Sequence, residues 1–155
     1  MLSGVLTSSH ANNIENVHVN GPKALFKACT LTNVKRIIHI SALGIDDEKN
    51  TAYALTKKAT EEYLQKLENI DWVILQSSLV YASGCYGGTS LFRALATLPY
   101  FIPLIGDGLQ QFQPIHIDVF NESNYSLYRK GRKNPQIIKN SWTRHSYHEG
   151  YLAWI

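Results

Sequence analysis

The chain has 155 residues, enough for one ordinary domain and too short for two. With 45% hydrophobic and 17% charged residues it has the composition of a folded globular protein, not of a disordered one. Its net charge of +3 is uneven: residues 1–118 hold nine basic and ten acidic side chains, residues 119–155 six basic and two acidic. No apolar run reaches the roughly 18 residues that a membrane helix needs, and Met1-Leu2-Ser3-Gly4 has no basic n-region. Cys29 and Cys85 are too few for a disulfide scaffold, so the expectation is a cytoplasmic chain with reduced thiols and no transmembrane segment.

Leu2–Leu6 reads as the end of a buried strand and Thr7–Asn13 as a polar loop. From Ile14 apolar residues recur at helical spacing: Ile14, Val17, Ala24, Leu25, Ala28 and Leu31. Gly21-Pro22 interrupts them, which predicts a new helix capped by Asn20. Val34–Ile40 carries the β-branched run of a strand buried on both faces. Ala42–Asn50 reads as a loop, Thr51–Glu68 as an amphipathic helix, and Trp72–Leu75 as a second buried strand. Glycines at 84, 87 and 88 mark a loop before a helix over Ser90–Leu98, and Gln113–Ile117 suits a last short strand.

Strands alternating with helices predict βαβ units and a parallel sheet whose carboxyl edge holds any ligand. After Asp118 no sustained period is visible. Residues 119–155 therefore read as a divergent basic tail, either the product of a frameshift near codon 118 or a genuine extension. Its interleaved Tyr125, Tyr128, Trp142 and Tyr147 suit nucleic acid in principle. No nucleic-acid motif accompanies them, so a solvated, poorly ordered tail is expected and no nucleic-acid partner.

The sharpest local feature is Tyr53-Ala54-Leu55-Thr56-Lys57. A spacing of four puts phenol and ammonium on one helix face, where the lysine favours the tyrosinate and the tyrosine can exchange a proton with a substrate oxygen. Ser41 ends the preceding strand at the ligand edge, twelve residues before Tyr53. His39 reads as a core histidine with satisfied hydrogen bonds. His116 beside Asp118 reads as part of a structural strand, and no metal site is expected.

In these residues the chain resembles an atypical or extended short-chain dehydrogenase/reductase of the NAD(P)-binding, epimerase/dehydratase-like kind. It is most similar to the branch containing the nucleotide-binding accessory subunit of respiratory complex I. The resemblance is carried by VHVNGPKALFKAC (Val17–Cys29), VKRIIHISALG (Val34–Gly44), YALTKKATEE (Tyr53–Glu62) and Leu91–Asp118, with its PLIGDG and FQPIHID. It implies an α/β fold: a partial Rossmann-like, doubly wound parallel sheet lacking its first strands and the Gly-rich nucleotide-binding turn. Residues 1–118 would be the C-terminal part of that domain.

The resemblance further implies Ser41 as substrate-binding serine, Tyr53 as catalytic acid/base and Lys57 as the lysine that binds ribose and lowers the phenol pKa. Gly4 would lie against the dinucleotide, and Ser78 and Leu79 would flank the nicotinamide. The implied cofactor is NAD or NADP. Two departures stand near this site: the family usually has Arg-Pro where this chain has Gln76-Ser77, and a Gly-Pro-Gly turn where it has Ala82-Ser83-Gly84. The expected function is that of a fragment of an NAD(P)-dependent oxidoreductase, inactive alone, with a complementing N-terminal half or a respiratory-complex subunit as partner. A non-catalytic scaffold or assembly factor and a decayed gene fragment are the alternatives.

Overall fold

A computed structural model describes residues 13–46, 51–84, 88–97, 99, 113–129 and 135–140. The chain divides into two compact units, Met1–Ser77 with Leu127–Asn140 and Ser78–Ser126 with Ser141–Ile155. Leu2–Leu6 and Gly4 lie outside the described residues.

The first unit begins with a helical stretch from Ile14 that passes through a π-helical turn, Asn16–Asn20, into α1 (Gly21–Leu31). The helix break expected at Gly21-Pro22 does not occur. Asn20 has helical backbone angles and no capping bond; its side-chain amide donates to Asn16 Oδ1 at 2.8 Å. Pro22 has no N–H, so within a helix it would leave the His18 carbonyl four residues earlier without its donor. The π-turn absorbs the mismatch by giving the Gly21 N–H to the Asn16 carbonyl. Thr60 Oγ1, from the neighbouring helix, donates to the His18 carbonyl. Gly21 suits the tight turn, since a Cβ there would sit 3.2 Å from the Asn16 oxygen.

Strand β1 covers Arg36–Ala42 and β2 covers Asp71–Ser77, paired in parallel with Ile37 opposite Trp72, His39 opposite Ile74 and Ser41 opposite Gln76. Between them α2 runs over Ala52–Gln65, capped by Thr51, whose hydroxyl accepts from the Ala54 N–H at 3.2 Å. The helix stops short of Glu68 because the chain must reverse into β2, and Asn69 takes a left-handed turn with φ of 64°. Asn33 does the same before β1 with φ of 59°. Asparagine tolerates that region better than other side chains.

Paired residues of parallel strands share a sheet face. Ile37, His39, Ser41, Ile74 and Gln76 therefore lie on one face, and α1 and α2 cover it. The core cluster there is Phe26, Ile37, Leu64, Ile70 and Ile74, with Cys29, Tyr63, Leu67 and Trp72 packed against it. The inward stripe of α2 is Ala54, Lys57, Thr60, Glu61 and Leu64, at helical spacing but with only two apolar members.

The third strand of this sheet comes from the region read as a structureless tail. In the structure α4 spans Ile117–Arg129 and β5 spans Gln136–Asn140, and β5 pairs in parallel with β2, Ile137 opposite Ile74. Five residues with one Ile-Ile pair are too short to register as a strand in sequence. The pairing is decided by the central strand β2, whose Ile74 and Leu75 are fully buried. In the second unit β3 (Val80–Tyr81) pairs in parallel with β4 (Ile115–His116), and α3 covers Gly88–Ala96. The strand expected over Gln113–Ile117 is thus two residues long, and α4 starts at its last position. Among the described residues no helix is long and apolar enough to cross a membrane.

Candidate functional site

In a parallel sheet a crossover helix starts at the carboxyl end of the strand before it. The first turn of α2 therefore stands beside the end of β1. Ser41 is the penultimate residue of that strand, and Tyr53 and Lys57 occupy successive turns of the helix. The Lys57 ammonium lies 5.9 Å from the Tyr53 ring centroid. The ammonium makes no hydrogen bond among the described residues, although only 7% of Lys57 is exposed. Two of the expected residues are thus brought together as their spacing predicts.

His18 also packs against Tyr53, the two rings edge-on with centroids 5.3 Å apart. His18 Nδ1 lies 3.0 Å from Thr56 Oγ1, and that hydroxyl donates its only proton toward the Ala52 carbonyl at 2.7 Å. With that proton on the Ala52 carbonyl, the hydroxyl accepts from the Nδ1–H tautomer of His18. Burial, and second the Lys57 charge, push the imidazole pKa down and keep the ring neutral. His18 was not among the expected site residues; no motif in the sequence separates it from other histidines.

The electrostatics differ from the sequence expectation. The Tyr53 phenol is pushed above its ordinary value by burial, not lowered by Lys57. Burial likewise pushes Lys57 down, and Glu61 partly restores it. Both effects follow from one cause, since removing water penalises the charged form of either group.

Ser41 stands beside a second polar cluster on the same sheet face. The Gln76 amide donates to both oxygens of the Glu61 carboxylate, at 3.3 and 3.0 Å, and both residues are almost completely buried. The Ser41 hydroxyl is 95% buried and lies near enough to this carboxylate to favour its charge, short of a hydrogen bond of regular geometry. Burial pushes Glu61 up, against the pull of Ser41, Gln76 and Lys57. Glu61 was missed in sequence, though it stands four residues after Lys57 and the departure at Gln76 pointed to its partner.

His39 is a further surprise on the same strand face. Its ring packs edge-on against Phe26 at 5.5 Å, but neither nitrogen has a hydrogen-bond partner among the described residues. The expected satisfied core histidine is a core histidine with its polar atoms unsatisfied. Burial, joined by the Lys57 charge, pushes its pKa down to about 3.

Ser78 and Leu79 follow β2 directly and belong to the second unit, where the Leu79 carbonyl accepts from the Ile115 N–H at 2.9 Å. His116 is in that unit too, edge-on to Tyr81 at 5.1 Å and 3.3 Å from the Asp118 carboxylate. No cluster of metal-ligating side chains occurs among the described residues.

No family model matches this sequence, and no curated protein sequence matches it either. Solved structures do match its fold. They include MoeE5 in complex with UDP-glucuronic acid and NAD, with a TM-score of 0.74 and 17% identity over 90% of this chain and 55% of that one. UDP-glucuronic acid 4-epimerase from Bacillus cereus in complex with NAD gives a TM-score of 0.72 and 20% identity over 90% of this chain and 51% of that one. A dTDP-glucose 4,6-dehydratase from Streptomyces venezuelae, with NAD bound, gives 0.70 and 18% over 89% and 51%. The chain spans about half the length of these structures. Its fold is the α/β, Rossmann-like fold of NAD-dependent epimerases and dehydratases, in part.

Proposed function

We propose that this chain is part of an NAD(P)-dependent short-chain dehydrogenase/reductase of the epimerase/dehydratase kind, acting at a hydroxyl or carbonyl carbon. The observation that carries this reading is the Tyr53–Lys57 pair at the carboxyl end of β1, with a lysine that spends no hydrogen-bond donor among the described residues. Tyr53 Oη would hold or take the proton of the substrate oxygen. Lys57 fits the ribose hydroxyls next to the nicotinamide and would stabilise the phenolate when it forms. NAD or NADP, when bound, supplies the hydride chemistry. Ser41, at the end of β1, would hold the substrate oxygen beside Tyr53.

The sequence contains no G-x-G-x-x-G turn, so a polypeptide segment carrying one is the partner that this reading requires. The test combines calorimetric titration of NAD and NADP into the protein with an assay on nucleotide sugars. Tyr53→Phe should lower turnover by at least about 100-fold and leave dinucleotide affinity intact. Unchanged turnover removes Tyr53 from the mechanism.

A non-catalytic scaffold, related to the complex I accessory subunit, is favoured by one observation. Burial raises Tyr53 and lowers Lys57, the reverse of an acid/base pair already activated at rest. That reading predicts neither dinucleotide binding nor turnover in the wild-type chain, and stable association with a partner that Tyr53→Phe leaves intact.

A further inference from the structure

The polar residues behind Tyr53 and Lys57 are costly to bury and do not contact the phenol. Glu61 is 3% exposed and Gln76 2%, in the layer between α2 and the sheet. Four residues separate Lys57 from Glu61, which sets them one helical turn apart on the same inward stripe. They do not touch as a salt bridge. The carboxylate is turned to the Gln76 amide, which donates to both its oxygens.

The choice of partner matters. An amide fixes the carboxylate's orientation but carries no charge, so it leaves the negative field intact. A guanidinium in its place would neutralise that field and add a cation on the far side of Lys57. Among the described residues, the groups that act on Lys57 or are acted on by it are Tyr53 and Glu61 on its own helix, His18 from the preceding helical stretch, and His39 from β1. Asp46, in the turn after β1, acts on Glu61 and pairs with Lys58 at 3.7 Å. The two histidines are neutral and the phenol is protonated. Of these groups Glu61 is the one whose charge favours the ammonium.

We propose that Glu61, oriented by the neutral Gln76 amide, is the positioning residue that holds Lys57 as an ammonium beside Tyr53. This rests on the reading of Tyr53 and Lys57 as the reacting pair, and it deepens that reading. Burial alone drives the lysine towards its neutral form, which neither stabilises a phenolate nor donates three hydrogen bonds. The carboxylate, one helical turn away and bonded to the Gln76 amide, opposes that drive. Gln76 is thereby assigned a role: it keeps Glu61 from turning towards Lys57 and closing a salt bridge that would spend the ammonium's donors.

The experiment follows the ε-carbon resonance of Lys57 against pH in protein carrying ε-13C-lysine, with Lys57→Met providing the assignment. Glu61→Gln should move the Lys57 midpoint down by about one pH unit or more, as expected for losing an opposite charge a helical turn away. Gln76→Arg should move it in the same direction while Glu61 stays in place. Glu61→Asp, which keeps the charge, should restore most of the midpoint. A midpoint unmoved in both E61Q and Q76R, with the other lysine resonances unchanged, overturns the proposal; if E61Q does not fold, Q76R decides it. The resonance is read without substrate or dinucleotide, so the two readings fail separately. A moved midpoint in a chain without turnover keeps the Glu61 role and removes the catalytic one. A fixed midpoint with turnover lost in Y53F does the opposite.

Discussion

His39 offers the most direct test of the energetics, through His39→Leu. The ring is 3% exposed, and neither nitrogen has a partner among the described residues. Two effects of the substitution compete at neutral pH. Removing unsatisfied buried polar atoms gains about 1–3 kcal/mol, whereas losing the edge-on contact with Phe26 costs about 0.5–1.5 kcal/mol. The variant should therefore be more stable by about 1 kcal/mol at pH 7.

The pH dependence is the sharper readout. The unfolded chain binds a proton on this imidazole near the ordinary value of 6.5, and the folded chain only at about 3. Between those values the unfolded state holds more protons, so stability is whole above 6.5 and is lost as pH falls towards 3. At about 1.4 kcal/mol per unit, the full displacement is worth about 5 kcal/mol. The assay is urea unfolding of wild type and variant at half-unit steps from pH 7.5 to 4, followed by circular dichroism. Subtracting the curves removes the other titrating groups, including Glu61, whose raised pKa acts in the opposite sense. The gap should widen in the variant's favour at every step below 6.5. Parallel curves would refute the reasoning, since they would mean that His39 is protonated equally well in both states.

Two further predictions concern elements that sequence reading placed wrongly. Thr60→Val, a nearly isosteric change at a fully buried site, removes the hydroxyl that donates to the His18 carbonyl. It should destabilise by about 1–3 kcal/mol, since Pro22 cannot supply the missing donor; a loss below about 0.5 kcal/mol in urea unfolding would show that the π-turn rearranges to satisfy that carbonyl itself. Truncation after Asp118 removes β5 and uncovers one edge of β2, so thermal unfolding should occur at lower temperature, with more aggregation. A truncated chain melting with the full-length midpoint would show that β5 contributes nothing to the first unit.

Much of the first unit was legible in sequence because each element repeats a local pattern over many residues. The β-branched run Val34–Ile40, the capped stripe from Thr51 and the apolar Trp72–Leu75 gave β1, α2 and β2, with boundaries shifted by one to three residues. The pairing of Tyr53 with Lys57 was equally local, since a spacing of four on any helix puts two side chains on one face. What sequence could not supply were consequences of distant contacts. Thr60 rescues a carbonyl 42 residues away, and so lets a helix run through Gly21-Pro22. The paired β2 makes a strand of Gln136–Asn140, which has no periodicity of its own to show.

The same division holds at the site. Sequence determined which chemical groups stand on α2 and at the end of β1; it did not determine which of them are charged. That depends on how much water the packed layers of α1, α2 and the sheet remove from around each group, and on which neighbours replace it. Tertiary packing therefore decided that Tyr53 is raised, that Lys57 is lowered by burial and partly restored by Glu61, and that His39 remains neutral. The physical reason is that a side chain's identity is local, whereas the solvation of its charge belongs to the whole fold.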